Sequence, residues 1–500
     1  MRADRIASSA MLLAVFLCIG FSAFARAQPG AMPSGTRPAL RPVVEVEEDV
    51  YPFQPAQNGS SPMWCYGSTC LVRIGADVFA SGLETISDAK SLNNVRWTLW
   101  RRSRAGWELQ QKDTVHRTRE PCPLVGFPDG RLFMSVNPTL VEDPNAKVGP
   151  ARPEILLFRA FDPKAPFKRL LPDWKGKPAF TEHSYRTFAG DGRRGELILF
   201  NNVGYTHSQW AFMDRSGRWA ATGTLLWPKR ADPRFAPYKS KRARVNYPNV
   251  VLRNRAVHLC GASAFNLWER VAGRPDLMGR KWSNRWRRLY YTWCPDITGA
   301  PFRPWVEIAS THKTGGWLFP ADMWLAPDGQ VRLLWMEFPI GRQLRDQHFS
   351  DIKRITSLKY AVVRDGEVVL RRTLVQGGEG LTGPVPRCAR FAVTPGGRLI
   401  VFDYVEGRSA SGKTLRQNRV TEILPNGDLA TPIVVPMTHP LGAFLGFFTA
   451  TPRGGSSPSR TLDLLGYRAY TPDTPITRTK YKLHDIKSPT KISYARIRLW

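Results

Sequence analysis

The stretch Phe319-Pro320-Ala321-Asp322-Met323-Trp324-Leu325-Ala326-Pro327-Asp328-Gly329-Gln330-Val331-Arg332-Leu333-Leu334-Trp335-Met336-Glu337 reads as a β-hairpin. Met323 and Leu325, then Val331, Leu333 and Trp335, recur with the period of two that places alternate side chains on one face of a strand. Between them Pro327-Asp328-Gly329 supplies a preset φ, a local side-chain acceptor and a residue free to take positive φ. The same grammar returns at Phe127-Pro128-Asp129-Gly130-Arg131-Leu132-Phe133-Met134, at Gly190-Asp191-Gly192 leading to Leu197-Ile198-Leu199-Phe200, and at Thr394-Pro395-Gly396-Gly397-Arg398-Leu399-Ile400-Val401-Phe402. Recurrence of one supersecondary unit marks a repeat architecture.

Working outward, each hairpin is followed by a second pair of strand-like runs. After the quoted hairpin come Leu358-Lys359-Tyr360-Ala361-Val362-Val363, a turn at Arg364-Asp365-Gly366, and Glu367-Val368-Val369-Leu370. Counting such units gives seven, with inner turns at Gly75 in the first and Gly454 in the last. The spacing is roughly 63 residues, longer than the roughly 40 to 50 of compact propeller repeats, so the surplus sits in loops. The expected fold is all-β, a β-propeller with seven blades; six or eight blades, or a sandwich, are the alternatives. Val43-Val44-Glu45-Val46-Glu47 is a detached early strand, and the last run, Ile492 to Leu499, has no partner after it. A ring closed by this N-terminal strand satisfies both.

Composition agrees with a large β structure. Hydrophobic residues make up 42% of the 500, with 17 Trp and 25 Phe, enough bulky apolar surface to set aside disorder. The 41 Gly and 41 Pro fall in turn-like places, and no long amphipathic helix is evident. The formal charge of +31 predicts attraction to a polyanion, such as a uronate- or sulfate-bearing polysaccharide or an envelope polymer; an Arg-rich solvated surface is the plainer reading. Nucleic acid is not an expected partner, because no recognition motif is present and the chain reads as exported.

Export is expected from Met1-Arg2-Ala3-Asp4-Arg5, an apolar run from Ala10 to Phe24, and Ala25-Arg26-Ala27 as a cleavage pattern. Residues 1–27 are then a signal peptide, 28–42 a linker or extended arm, and 43–500 a single propeller domain, periplasmic or extracellular, released and monomeric. No later stretch has transmembrane character. Outside the signal, six cysteines remain: Cys65, Cys70, Cys122, Cys260, Cys294 and Cys388. An even number in an exported chain permits disulfides, with buried free thiols as the alternative. Cys65 and Cys70 are spaced to close a small loop, and Cys260 and Cys294 fall on neighbouring strands of one repeat. No Cys or His pairing has zinc spacing.

Met213-Asp214-Arg215-Ser216-Gly217-Arg218-Trp219, following an inner hairpin, resembles the repeat of sialidase-like propellers with BNR repeats. Asn246-Tyr247-Pro248-Asn249-Val250-Val251 is similar to secreted propellers of that kind that include polysaccharide lyases of the ulvan lyase type. The resemblance implies a propeller that handles carbohydrate. The Asp-box Ser-x-Asp-x-Gly-x-Thr-Trp has no intact copy, and no Phe-Arg-Ile-Pro run presents a first arginine, so sialidase activity is not expected.

Lyase chemistry on a uronate needs a cation for the carboxylate, a base for the α-proton and an acid for the leaving oxygen. His, Tyr and Arg near inner-strand entries fit those roles. By analogy with propeller lyases, His183 or His207 is the proton acceptor, Tyr247 or Tyr205 the donor, and Arg186 or Arg387 the carboxylate ligand. His312 and Arg390 occupy equivalent entry positions in other repeats and complete the substrate-binding set. Asp322 and Glu337 are the alternative, a glycosidase pair, although an Asp at a strand entry more often bonds backbone amides. His258, flanked by Val257 and Leu259, reads as structural. The Trp282, Trp286, Arg285, Arg287 and Arg288 cluster fits either a sugar-stacking surface or an insertion packed on the fourth repeat. No cofactor is called for, and calcium use is left open. The expected function is binding, with or without lyase cleavage, of an acidic polysaccharide; a noncatalytic envelope or protein-interaction platform is the alternative.

Overall fold

The quoted hairpin forms between strands Trp317–Leu325 and Val331–Phe338, with Met323 opposite Leu333 and Leu325 opposite Val331. Gly329 takes φ +80°, and Asp328 Oδ1 accepts the Gln330 N–H at 2.9 Å, so the turn closes as its residues dictate. Strands Ile355–Arg364 and Glu367–Gly378 complete the sheet through the left-handed Asp365-Gly366 turn. The structure, a computed structural model, describes residues 38–500 apart from 66, 91, 147, 183–184, 205, 230–242, 264–273, 278–285, 409–411, 443–445 and 469–489.

Six other four-stranded antiparallel meanders share this plan. Blade one begins with Leu71–Ile74, blade two with Leu124–Gly126, blade three with Arg186–Asp191 and blade four with Val245–Arg253. The quoted hairpin opens blade five, Val385–Val393 opens blade six and Phe447–Thr449 opens blade seven. In blade seven the outermost strand is Val43–Phe53, with Val44 opposite Ile497 and Tyr51 opposite Ile492. The fold is thus a seven-bladed β-propeller closed by the early strand.

What binds the blades is the alternation read from the sequence. Leu333 and Trp335 join the apolar cluster shared with blade four, while Leu334 and Met336 join the cluster shared with blade six. One strand therefore serves two interfaces, which explains why it reads as almost continuously apolar. The same division recurs around the ring, and the last interface sets Tyr51, Phe53, Ile492 and Tyr494 of blade seven against Leu71, Val78 and Leu83 of blade one. Each fully buried Leu, Ile or Phe contributes about 1.5–3 kcal/mol, so ring closure rests chiefly on these interfaces.

The six cysteines are buried thiols. Cys65 and Cys70 have their sulfurs 3.4 Å apart. Cys260 and Cys294 do lie on neighbouring strands, but Cys260 is opposite Tyr291 and Cys294 opposite Val257, and they enter clusters on opposite faces of the sheet. They do not meet. Among the described residues the one α-helix is Arg342–His348, and no helix is long and apolar enough to cross a membrane. The expected signal segment, residues 1–27, and most of the Arg- and Trp-rich insertion lie outside the described residues. At the end of that insertion Trp286 is buried edge-on against Phe319, ring centroids 4.8 Å apart, so it packs rather than projects.

Candidate functional site

Each inner strand starts at one end of the ring, so residues just before these strands share a face. The axis itself is closed. Arg453, buried on the turn after the blade-seven inner strand, donates from Nε to Asp322 Oδ1 of blade five at 3.0 Å and from Nη1 to the Gly67 carbonyl at 2.7 Å. Asp322 also accepts the Met323 N–H and, through Oδ2, the Phe391 N–H of blade six, both at 2.9 Å. Backbone contacts cross between blades: the Gly126 N–H donates to the Gly454 carbonyl and the Gly190 N–H to the Arg453 carbonyl, each at 2.9 Å. A Cβ on Gly67 would run into the Tyr247 and Pro248 carbonyl oxygens, so only glycine permits this approach. Asp322 is accordingly a structural carboxylate. Glu337 sits three register positions beyond the partner of Asp322 and accepts from Trp335 Nε1 at 3.1 Å, so the two do not form a glycosidase pair.

At the entry end, over blades two to four, lies a largely buried group of polar side chains: Tyr247, Glu120, Arg119, Arg186 and Arg244 are each less than a tenth exposed. Tyr247 has φ +41°, an uncommon conformation for a non-glycine residue, at a register shift between Asn246 and Asn249. This bulge turns its ring toward blade two, where its hydroxyl donates to Glu120 Oε1 at 3.2 Å. Arg119 Nη1 donates to the same oxygen at 3.2 Å. Burial alone would lower the Arg119 guanidinium, but the charge of Glu120, with Tyr247 and Tyr185, holds it above its ordinary value. Tyr185 and Trp64 pack edge-on against Tyr247, with centroids 4.6 and 5.9 Å away, and the Arg244 guanidinium lies 4.7 Å from the Tyr185 ring centre. Arg186 is anchored beside them, donating from Nη2 to the Pro121 carbonyl at 2.7 Å. A phenol bonded to a guanidinium-paired carboxylate, with further cations alongside, is suited to holding an anion or moving a proton at the phenolic oxygen.

Two of the residues singled out from sequence therefore meet: Tyr247 and Arg186 both contact the segment 120–121. His183 and Tyr205 lie outside the described residues. His207 opens the third strand of blade three, its Nδ1 2.8 Å from the Thr206 hydroxyl, and partial burial pulls its imidazole below the ordinary value. His312, before blade five, pairs Nδ1 with the Ser310 hydroxyl at 2.7 Å. Arg387 donates to Glu406 at 2.9 Å. Arg390 turns to the axis, donating to the Ala321 carbonyl at 2.5 Å. His258 is buried and paired with the Tyr291 hydroxyl at 2.7 Å, as a structural histidine. Sequence reading missed Arg119, Glu120 and Tyr185. Arg119 and Glu120 stand just before the blade-two inner strand, the position rule that picked out Arg186, and applying it to blade two finds them.

A second feature at this end lies on blade five. A cleft of about 470 Å³ is lined by Trp317, Arg342, Gln343, Asp346, Gln347 and Arg354, with the Asp346 carboxylate 3.6 Å from Arg342. Trp317 stacks on Phe338 with centroids 4.7 Å apart and planes at 15°, which fixes the indole in place. Among the described residues no group of three His, Cys, Asp or Glu side chains is arranged to hold a metal ion.

No protein-family model matches the chain, and no curated protein does. Among solved structures, the α-L-arabinofuranosidase of Fusarium graminearum in complex with arabinobiose aligns at 12% identity over 75% of this chain and 92% of its own, with a TM-score of 0.38. The α-L-arabinanase of Penicillium chrysogenum complexed with arabinobiose aligns at 12% identity over 75% and 93%, with a TM-score of 0.38. The sialidase of Trypanosoma rangeli in complex with an inhibitor aligns at 10% identity over 71% and 54%, with a TM-score of 0.34. The propeller assignment rests on the strand order itself.

Proposed function

We propose that this chain is an exported propeller that binds an acidic polysaccharide on the face where the inner strands begin. The observation carrying this reading is the meeting of Tyr247, Glu120 and Arg119 with Tyr185, Arg186 and Arg244, a largely buried cluster that joins rings and cations at that end of the ring. The Trp317 cleft, with Arg342 and Arg354, supplies a second patch of the same chemistry on that face. The overall charge of +31 favours encounter with a polyanion.

The lyase form of the reading assigns the uronate carboxylate to Arg186 or Arg387, α-proton removal to His183 or His207, and protonation of the leaving oxygen to Tyr247 or Tyr205. The C–H electrons form the new double bond as the C–O bond breaks. A lowered His207 favours the neutral imidazole that an acceptor requires. The noncatalytic form is favoured by a different observation: Tyr247, Arg186 and Arg387 already bond Glu120, the Pro121 carbonyl and Glu406. One experiment separates them. The chain is incubated with a panel of uronate- and sulfate-bearing polysaccharides, following ultraviolet absorbance of unsaturated uronate ends and retention on immobilised polymer. Retention with rising absorbance, lost in His183→Ala or His207→Ala, establishes the lyase; retention without absorbance, kept when Arg193 and Arg215 on the opposite face are replaced by Ala, supports the platform; absence of retention on every polymer overturns the proposal.

A further inference from the structure

The end of the ring opposite the candidate site carries a cleft of about 500 Å³ between blades three and four. Three turns build it: the inner turn of blade three with Arg193 and Arg194, the outer turn with Arg215 and Arg218, and the inner turn of blade four with Arg255. Five guanidinium groups thus face two carboxylates, Glu196 and Asp214.

Both carboxylates are already committed. Buried Glu196 accepts from Arg194 at 3.0 Å and Arg255 at 3.3 Å. Asp214 accepts the Ser216 N–H at 2.9 Å, the Ser216 hydroxyl at 2.6 Å and Arg218 at 3.0 Å, all within its own turn. Among the described residues neither Arg193 nor Arg215 has a carboxylate within ion-pair distance, although both side chains line the cleft. The wall of the cleft is held in a costly shape. Asn254 and Arg255 have φ +49° and +66°, and buried Asp191 of blade three accepts the Asn254 N–H at 2.8 Å, pinning this turn to its neighbour. A left-handed Arg in a turn is strained and persists only where surrounding contacts enforce it. Like charges crowd behind it too: burial first, then the charge of Arg193, pulls the neighbouring Arg253 guanidinium below its ordinary value.

We propose that this cleft is a binding site for a sulfate or phosphate group, held between Arg193 and Arg215 with Arg255 at its wall. A tetrahedral dianion presents oxygens to several guanidinium forks at once and relieves their mutual repulsion. The site is independent of the reading given to the opposite face. Isothermal titration of the full chain with inorganic pyrophosphate and with a sulfated heparin disaccharide, at constant ionic strength, tests it and distinguishes the two sources. Saturable binding of either probe is expected, weakened at least tenfold in R193A/R215A, with the exposed positions leaving the melting temperature unchanged. R193K/R215K, keeping charge without the fork, should recover part of the affinity. Equal affinity in R193A/R215A, or no saturable heat from either probe with the unaltered chain, overturns the proposal.

Discussion

Replacing Arg453 by Met tests whether the ring is tied across its axis. The guanidinium bonds Asp322 of blade five and the Gly67 carbonyl, and both charged groups are almost wholly buried. Removing one partner of a buried ion pair costs about 3–5 kcal/mol, because the other charge is left behind in a poor solvent. Asp322 keeps two amide donors, from Met323 and Phe391, which places the expected loss near the lower end, about 3 kcal/mol. The compact unit runs from Leu40 to Trp500. At roughly 2.1 cal/mol/K per residue its unfolding entropy is about 1 kcal/mol/K, so a loss of about 3 kcal/mol lowers the melting temperature by about 3 °C. Calorimetry on Arg453→Met, Asp322→Asn and the double variant completes a cycle. A coupling of more than about 1 kcal/mol between the two positions is expected. A fall of less than about 1 °C in Arg453→Met, or strictly additive effects, would refute the idea that this pair ties blade seven to blade five.

His258 is held by burial at about 4, below its ordinary 6.5. Between these values the unfolded chain binds a proton that the folded chain refuses, so stability is complete above about pH 6.5 and falls by about 3 kcal/mol as pH drops toward 4. Denaturation midpoints across that range should lose part of their slope in His258→Gln; an unchanged slope would show that His258 does not carry it. Burial pushes the Cys65 thiol well up, so it reacts slowly, yet its sulfur is 3.4 Å from that of Cys70. Prolonged treatment of the folded chain with diamide should join them, seen as a linked peptide by mass spectrometry, whereas alkylation of both thiols after that treatment would contradict the pairing. Gly67→Ala should be destabilised by more than about 2 kcal/mol, since its Cβ meets the Tyr247 and Pro248 carbonyl oxygens, and Gly67 holds Arg453 through its own carbonyl. A denaturant midpoint matching the unaltered chain would show that Gly67 is not locked there.

Blade count, closure by Val43–Phe53 and the turn chemistry were legible in the chain because each is local: a period of two, a Pro-Asp-Gly or Pro-Gly-Gly turn, an orphan strand at either end. Asp129, Asp328 and Asp365 behave as the turn formers their neighbours predict. The sequence also marked Tyr247 and Arg186 by their place before inner strands. It held no sign that Tyr247 would sit on a bulge reaching Glu120 across 127 positions, or that Arg390 would turn to the axis instead of the entry face. Which way a side chain points at a strand entry depends on bulges and on blade-to-blade packing, not on its spacing. Only the tertiary structure set Arg453 of blade seven against Asp322 of blade five and brought Arg255 of blade four beside the two arginine turns of blade three, because such encounters are fixed by the packing of sheet against sheet, a property that no single repeat carries.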